Sequence, residues 1–369
     1  MARRRRGEGA IYQRASDKLW VGAVRAGGKR HVVYGPSEDD VKEALADLRA
    51  ALRLGVTIPD ARLTVGRHLA GWLDAMRPPH IRPSTWVSYE LHVRHLADLA
   101  TISLARLTPN DVRRHLRRLL DDGYSARTVA YSLTVLRMAM RQALRDGLVT
   151  RNVAELVDPP RIERSELRIL TAIEARRLVA GGDPLWTLLV GIGCRLGEAL
   201  GLRWSDVDLE AGTVTITGGL RPVPKRFRAK GQPRLSRVEP KTDSGHRTVA
   251  LPPVVVLALA AHREATADRP ASVAGYIFTT PRGTPMDPRN VSRAWALERE
   301  RLRLPVVRIH DLRHTAASLM LARGFTLEDV KRVLGHASIA QTSDTYGHLV
   351  EGRSREIATG MDAVLGGRA

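Results

Sequence analysis

A chain of 369 residues is longer than one hydrophobic core usually supports, so the sequence predicts two or three domains. Hydrophobic residues make up 43% and charged residues 27%, a globular composition that excludes a wholly disordered or fibrous chain. The 59 Lys and Arg residues outnumber the 39 Asp and Glu residues, which gives a formal charge of +20. This excess favours a polyanionic partner, nucleic acid above all, over a basic surface that only faces solvent.

Cysteine content and apolar stretches restrict the class of protein further. Cys194 is the only cysteine, which excludes an internal disulfide framework and a cysteine-based zinc site and fits a reducing, cytoplasmic setting. The longest apolar stretches, 184–194 and 249–261, are shorter than the roughly 20 residues of a membrane span. Four arginines follow Met-Ala at the N-terminus with no apolar segment behind them, unlike a secretory signal. We therefore expect a protein that stays inside the cell.

Residues 10–55 have the pattern of a small sheet followed by one helix. Residues 19–34 form two β-rich runs joined by Gly27-Gly28, a pair that favours a tight hairpin turn, and residues 11–12 would add an earlier strand. Residues 37–55 then carry a capping box and apolar residues at helical spacing. The sequence therefore predicts a ββ(β)α module.

Basic side chains lie on or beside the strands of this module. A sheet face that carries them would enter a DNA groove, and the alternative is a solvated face that only covers the domain. The candidate DNA-binding residues are Arg25, Lys29 and Arg30, with Lys18 beside them.

The pattern over residues 64–147 is helical throughout. Thr108 and Ser125 are predicted N-caps of two helices, and apolar residues at helical spacing mark two more helices upstream. Four helices with apolar stripes are enough for a bundle with its own core. Aromatic residues on these stripes are expected in that core rather than stacked on bases. They are Trp72, Trp86 and Tyr89.

The last region combines helices and strands. Capping residues begin two helices near its start, residues 213–217 and 246–251 alternate like strands, and helices return over 287–369. Between the two strands, the basic segment 218–240 contains Pro and Gly and is predicted to be a flexible loop.

Residues 158–161, Asp-Pro-Pro-Arg, interrupt the helical pattern and are interpreted as an interdomain linker. The predicted fold is mixed and mainly α. It consists of the ββ(β)α module over 1–60, the helical bundle over 61–160 and an α+β domain over 161–369.

Four segments of the α+β domain concentrate unusual polar residues. They are Gly193-Cys194-Arg195-Leu196-Gly197-Glu198, Pro240-Lys241-Thr242-Asp243-Ser244, His310-Asp311-Leu312-Arg313-His314, and Leu334-Gly335-His336 with Tyr346 ten residues further on. Arg195 directly follows an apolar helix, where an unpaired guanidinium is costly, so it needs an anion or a carboxylate. Glu198 is the candidate carboxylate, and a buried, purely structural pair is the alternative.

The third of these segments places His310 on one helix face with both Arg313 and His314. Two histidines four residues apart suggest a metal, but Arg313 between them would repel it and no carboxylate or cysteine has zinc spacing. Two arginines, a lysine and two histidines are better suited to surround one phosphate, because guanidinium binds phosphate oxygens bidentately. Tyr346 fits as the nucleophile, since a phenol of reference pKa about 10 is more easily activated in a cationic pocket than a serine hydroxyl. The alternative for Tyr346 is a packing role.

The ordered set Gly-Cys-Arg-Leu-Gly-Glu, Pro-Lys-Thr, His-Asp-Leu-Arg-His-Thr, Leu-Gly-His and Asp-Thr-Tyr-Gly-His-Leu resembles the catalytic domain of the tyrosine recombinase (phage integrase) family. Residues 166–369 resemble that domain, 64–160 the core-binding domain and 10–55 the arm-binding module. The resemblance implies a site-specific integrase that cleaves and rejoins DNA through a 3′-phosphotyrosyl intermediate to integrate or excise a phage or mobile element. The alternatives are a non-catalytic DNA-binding regulator of the same fold and a type IB topoisomerase.

The resemblance also implies roles for single residues. Tyr346 would attack the scissile phosphate, while Arg195 and Arg313 would bind its non-bridging oxygens. Glu198 would support Arg195.

Proton transfer is assigned by the resemblance to the remaining residues. Lys241 would protonate the 5′-oxygen leaving group, and Lys230 is its rival because the long basic stretch before Lys241 leaves the hairpin alignment open. His310 would act as base or acid towards the tyrosine, and His336 would hold the phosphate.

No metal and no nucleotide cofactor is implied, and no membrane. The implied partners are double-stranded DNA with core and arm attachment sites, a homotetramer on two duplexes, and an excisionase or a host DNA-bending factor, in the cytoplasm of a bacterial host at the nucleoid. Apolar residues Ile357, Met361 and Leu365 after Tyr346 predict a tail helix that docks on a neighbouring protomer or folds back on its own domain.

Overall fold

The computed structural model describes residues 10–26, 29–53, 62–163, 168–239, 245–270, 274–335 and 338–340. The chain divides into two compact units, Met1–Arg164 and Ser165–Ala369. None of the helices in these described ranges is long and apolar enough to cross a membrane. The predicted mixed, mainly α fold is confirmed, and the finer division into three domains stays a prediction.

The first unit begins with a three-stranded antiparallel sheet in the order β1-β2-β3, followed by a helix. The elements are β1 (Ala10–Gln13), β2 (Trp20–Ala26), β3 (Lys29–Gly35) and α1 (Glu38–Arg53). Ser37 Oγ accepts a hydrogen bond from the backbone N–H of Asp40 at 3.2 Å, which is half of the predicted capping box. Val41 and Leu45 of α1 are fully buried. The ββ(β)α prediction is confirmed, whereas the predicted turn at Gly27-Gly28 and the helix end at Gly55 lie outside the described residues.

Four helices lie within residues 62–163. They are α2 (Val65–Ala75), α3 (Pro83–His95), α4 (Pro109–Asp121) and α5 (Ala126–Arg145), with 3-10 turns at Ala97–Leu99, Leu104–Arg106 and Val153–Leu156. Thr108 and Ser125 are N-caps, as predicted. Trp72 and Trp86 are buried, and the ring of Tyr89 stacks on that of Trp72 with centroids 5.7 Å apart. These aromatic residues therefore belong to the core.

The second unit alternates helices with two small antiparallel sheets. Its helices are α6 (Ala172–Ala180), α7 (Pro184–Ile192), α8 (Leu196–Leu200), α9 (Pro253–Ala265), α10 (Pro288–Arg301), α11 (Ile309–Ala322) and α12 (Leu327–Leu334). Strands β4 (Val207–Asp208), β5 (Thr213–Ile216) and β8 (Arg247–Ala250) form one sheet, and β6 (Gly219–Pro222) pairs with β7 (Leu235–Val238). Short 3-10 turns span Trp204–Asp206 and Lys225–Phe227.

Helix α7 lies in the core of this unit, buried along its length and packed against α9 and α11. It ends at Gly193, whose φ of 62° is the left-handed conformation that favours glycine. A Cβ at Gly193 would lie 2.5 Å from Leu334 Cδ2, so the absence of a side chain lets the ends of α7 and α12 meet. The first and third polar motifs meet at this contact, together with Leu334 of the fourth.

The prediction of a flexible loop over 218–240 is wrong towards both ends of that segment, where residues 219–222 and 235–238 are strands. Residues 219–222 pair with 235–238 as a hairpin, and Leu220 is buried. A Cβ at Gly201 of the α8 C-cap would come within 2.8 Å of the Leu220 backbone nitrogen, so the hairpin lies close against α8. Gly219 and Pro222 lie at the two ends of β6, whereas Pro224, Gly231 and Pro233 lie in the connection between the strands, where they do not interrupt the ladder.

Candidate active site

Arg195 lies between α7 and α8, at the N-cap of α8. Its backbone N–H donates to Glu198 Oε2 at 3.0 Å, and its Nη1 donates to Glu198 Oε1 at 2.7 Å. The side chain of Arg195 is 38% exposed, whereas that of Glu198 is 13% exposed. The predicted carboxylate partner is therefore present, but the guanidinium is open to solvent and accessible to an anion.

Glu198 has a second guanidinium partner, Arg247, that the sequence analysis missed. Arg247 Nη2 donates to Glu198 Oε2 at 2.9 Å. Burial by itself would raise the pKa of Glu198, but the charges and hydrogen bonds of Arg247 and then Arg195 hold it below its usual value. Arg247 shares the inward face of β8 with the apolar Val249, and a basic residue at such a position is the signal that indicates a buried partner.

Arg313 of α11 is buried, with 3% of its surface exposed. Its Nη1 donates to Gly193 O at 2.9 Å and to Leu334 O at 2.8 Å. Arg313 thus connects the end of α12 with the end of α7. Gly193, at the end of α7, lies two residues before Arg195 in the chain. The two predicted arginines are brought to the same end of the core.

His310 and His314 lie on successive turns of α11 with ring centroids 5.2 Å apart. Although His310 is exposed, surrounding atoms desolvate its ring, and this effect, followed by the charge of Arg313, lowers its pKa. Arg195 also lowers the pKa of His310, so the three side chains share one electrostatic environment. Burial, followed by the neighbouring His310, lowers the pKa of His314 to about 4. Both imidazoles are neutral near pH 7, and His310 is accessible to accept a proton.

The first turn of α11 is fixed by a capping box between Arg308 and Asp311. The Arg308 backbone N–H donates to Asp311 Oδ2 at 2.7 Å, and the guanidinium binds both carboxylate oxygens, with Nη2 at 2.7 Å from Oδ1 and Nε at 3.0 Å from Oδ2. Burial would raise the pKa of Asp311, but Arg308 lowers it. The ionised carboxylate therefore anchors the turn that carries His310 and Arg313.

The described residues bring together Arg195, Glu198, His310 and Arg313. The other predicted catalytic residues, Lys241, His336 and Tyr346, lie outside the described residues, as does the predicted tail helix.

Lys230, the rival for the role of Lys241, is exposed in the connection between β6 and β7. Arg25 and Arg30 of the N-terminal sheet are also exposed and face each other across β2 and β3. Arg30 Nη2 donates to Tyr12 Oη at 3.1 Å, and of Lys29 only the backbone is described.

Other chemistry at this site finds little support among the described residues. They contain no group of three His, Cys, Asp or Glu side chains that would hold a metal ion. Cys194 is buried, and burial raises its pKa to about 12, so its thiol is protonated at neutral pH and is a poor nucleophile.

Comparison with known proteins assigns the chain to a family. Residues 163–353 match the family model described as "Phage integrase family". The tyrosine recombinase XerC of Mesorhizobium japonicum is 31% identical over 295 residues, covering 73% of this chain and 87% of that protein. An integrase of Saccharopolyspora erythraea is 24% identical, covering 98% of this chain and 97% of that protein. The chain belongs to the phage integrase family, as the sequence motifs predicted. Its activity is that of a tyrosine site-specific recombinase.

Solved structures share the fold. The Tn1549 transposon integrase in complex with transposon right end DNA has a TM-score of 0.70 at 18% identity, covering 80% of this chain and 100% of that one. A lambda integrase tetramer bound to a Holliday junction has a TM-score of 0.58 at 18% identity, covering 93% of this chain and 96% of that one.

Proposed function

We propose that this recombinase cleaves and rejoins double-stranded DNA through a 3′-phosphotyrosyl bond on Tyr346, and so integrates or excises a phage or mobile element. The observation that carries the proposal is the meeting of an exposed Arg195, a buried Arg313 and a neutral His310 at one end of the catalytic core. This set offers fixed positive charge and a proton acceptor around one position, which transfer of a phosphoryl group from DNA to a hydroxyl requires.

In the proposed cleavage step, Tyr346 Oη forms a bond to the scissile phosphorus while the bond from phosphorus to the 5′-oxygen breaks. The phenolic proton passes to His310, and Lys241 gives a proton to the leaving 5′-oxygen. Arg195 and Arg313 stabilise the charge on the non-bridging oxygens. Rejoining is the reverse: a 5′-hydroxyl attacks the phosphotyrosyl bond and releases the tyrosine.

Two further residues prepare this step. Glu198, held ionised by Arg247 and Arg195, orients the guanidinium of Arg195. His336, three residues after Val333 of α12, is proposed to hold the phosphate.

The proposed partner is double-stranded DNA, and the proposed assembly is a homotetramer on two duplexes. Relatives support both, since the Tn1549 integrase was solved on transposon DNA and the lambda integrase as a tetramer on a Holliday junction. The 1–60 module would contact arm sites through Arg25, Lys29 and Arg30, the 61–160 bundle would clasp the core site, and 161–369 would perform the chemistry. An excisionase or a DNA-bending factor would set direction, in the cytoplasm of a bacterial host.

Trapping of a covalent protein–DNA complex tests the proposal. Full-length protein is incubated with a library of duplexes that carry a randomised core and a nick near the scissile position, so that cleavage releases a short strand and cannot reverse. We expect adducts that survive denaturation, whose DNA sequences identify the core half-site.

The matched variants are Y346F and Y276F, since Tyr276 is the other tyrosine of the catalytic unit. Y346F is expected to shift DNA in native gels as the wild type does but to form no adduct, whereas Y276F retains adduct formation. Absence of wild-type adducts across the library, or persistent adducts with Y346F, would overturn the proposal.

A further inference from the structure

The last turn of α12 is held by two arginines from other elements. A helix leaves its final carbonyl groups without partners inside the helix. Here Val333 O accepts from Arg247 Nε at 2.8 Å, and Leu334 O accepts from Arg313 Nη1 at 2.8 Å. The chain then turns at Gly335, where φ is 70°, and continues directly to His336.

Arg247 also contacts Glu198, the partner of Arg195, through a second nitrogen. Its Nη2 donates to Glu198 Oε2 at 2.9 Å, while Glu198 Oε1 accepts from Arg195 Nη1 at 2.7 Å. The carboxylate of Glu198 thus bridges the two guanidinium groups. Only 6% of the Arg247 side chain is exposed, so it acts on a bound phosphate through its neighbours rather than by contact.

We propose that Arg247 is a positioning residue for cleavage: it sets Arg195 through Glu198 and sets the end of α12, which leads to His336, through the Val333 carbonyl. The proposal rests on the proposed function of the site. A planar guanidinium suits this task because Nε and Nη2 donate to acceptors on two elements at fixed spacing. A lysine carries its three donors on one nitrogen at the end of a flexible stem, so it does not hold two acceptors at the fixed spacing of Nε and Nη2.

The test uses R247M and R247K in the full-length protein, with R237K as the matched control. Arg237 is also a strand arginine of this unit and donates to Asp206 Oδ2 at 2.8 Å and Thr217 Oγ1 at 2.6 Å, with no contact to the polar motifs among its described partners. For each variant we would measure melting temperature, affinity for the half-site duplex recovered by trapping, and the single-turnover rate of adduct formation at saturating protein.

We expect R247M to slow adduct formation by about 100-fold, the loss that a displacement of about 1 Å causes in a preorganised site. Half-site affinity should change by less than about threefold, because the surface that faces DNA keeps its charges. R247K should recover part of the rate, and R237K should match the wild type in both measurements. In an E198Q background, R247M should add much less than 100-fold, since part of its effect passes through the same carboxylate.

The inference is overturned if R247M and R247K form adducts as fast as R237K. It is also overturned if rate and affinity fall together in proportion to a lowered melting temperature, which indicates a role in folding alone. If R247M does not fold, R247K decides by the same criteria. A wild type that forms no adduct contradicts the proposed function itself, so the two failures are distinguishable.

Discussion

The two arginines proposed to bind phosphate have different surroundings, and their substitutions should differ accordingly. Arg195 is 38% exposed, whereas Arg313 is 3% exposed and donates to the carbonyls of Gly193 and Leu334. We expect R195K and R313K each to slow cleavage by about 100-fold or more, because an ammonium does not reproduce the bidentate fork. Only R313K should also destabilise the fold, by about 1–3 kcal/mol for its disturbed buried hydrogen bonds. Suicide-substrate kinetics measures the cleavage rate, and urea denaturation measures the free energy of unfolding. Full activity of either variant would indicate that its arginine has only a structural role.

The general acid is tested by a chemical rescue. A 5′-thiolate leaves without a proton, so a substrate with sulfur in place of the 5′-oxygen should restore cleavage by K241A. Lys230 lies in the connection of the β6–β7 hairpin, and K230A should cleave the ordinary substrate at the wild-type rate. Rescue of K230A instead of K241A would show that the alignment of the segment before β8 is wrong.

At the scale of residues, sequence motifs indicated four described residues of the candidate site but not a fifth, Arg247. Arg195, Glu198, His310 and Arg313 occur in short, recognisable segments, which is why they could be singled out although Arg313 donates to Gly193 O 120 residues away. Arg247 stands alone in a strand, and its partners Glu198 and Val333 are 49 and 86 residues away in the chain. Only folding brings these contacts together, so no local pattern around Arg247 indicates which groups it pairs with.

At the scale of elements, helix starts were predictable and the β6–β7 hairpin was not. A capping box is local: Thr171 Oγ1 accepts from the Glu174 backbone N–H at 3.3 Å, three residues on. Strand β6 instead finds its partner β7 beyond a connection of 12 residues, 223–234, rich in Pro and Arg. Because the composition of this connection is typical of a loop, the strands before and after it were not recognised as a pair.

The helical bundle contains three neighbouring histidines that should make it sensitive to acid. His92 Nδ1 and His95 Nδ1 lie 2.9 and 3.4 Å from Ser132 Oγ, and the two rings meet edge to face at 5.3 Å. Burial is the main cause that lowers the pKa of both, and also that of His115, where Asp98 opposes the shift. The folded state therefore binds fewer protons than the unfolded state as the pH falls.

We accordingly expect the free energy of unfolding to decrease as the pH falls below about 6.5, the usual histidine pKa, and to keep decreasing until the folded-state pKa values are reached. Urea denaturation at pH 7.5 and 5.5 measures the effect. The doubly substituted H92Q/H115Q should lose less stability between these two pH values than the wild type, whereas H80Q, at an exposed histidine, should behave as the wild type. An equal loss in H92Q/H115Q and the wild type would place the acid sensitivity elsewhere.

At the scale of the whole molecule, the positive charge of +20 is spread over all three predicted domains, so each can contribute DNA affinity. The N-terminal module carries none of the proposed catalytic residues. We expect deletion of residues 1–60 to leave cleavage of the short core half-site unchanged but to abolish recombination between long duplexes that include the flanking sequence. Loss of core cleavage would instead indicate that the module takes part in binding the core site.

The central claim, that Tyr346 becomes covalently joined to DNA, is tested most directly by locating the nucleotide on the protein. Trapped adducts are digested with nuclease and trypsin, and the peptide that carries a residual 3′-nucleotide phosphate is fragmented in a mass spectrometer. Trypsin releases Tyr346 as the only tyrosine of peptide 333–353 and Tyr276 as the only tyrosine of peptide 264–282. We predict the phosphate mass on peptide 333–353, with fragment ions that place it on Tyr346. A nucleotide on peptide 264–282, or on a serine or threonine of peptide 333–353, would contradict the claim.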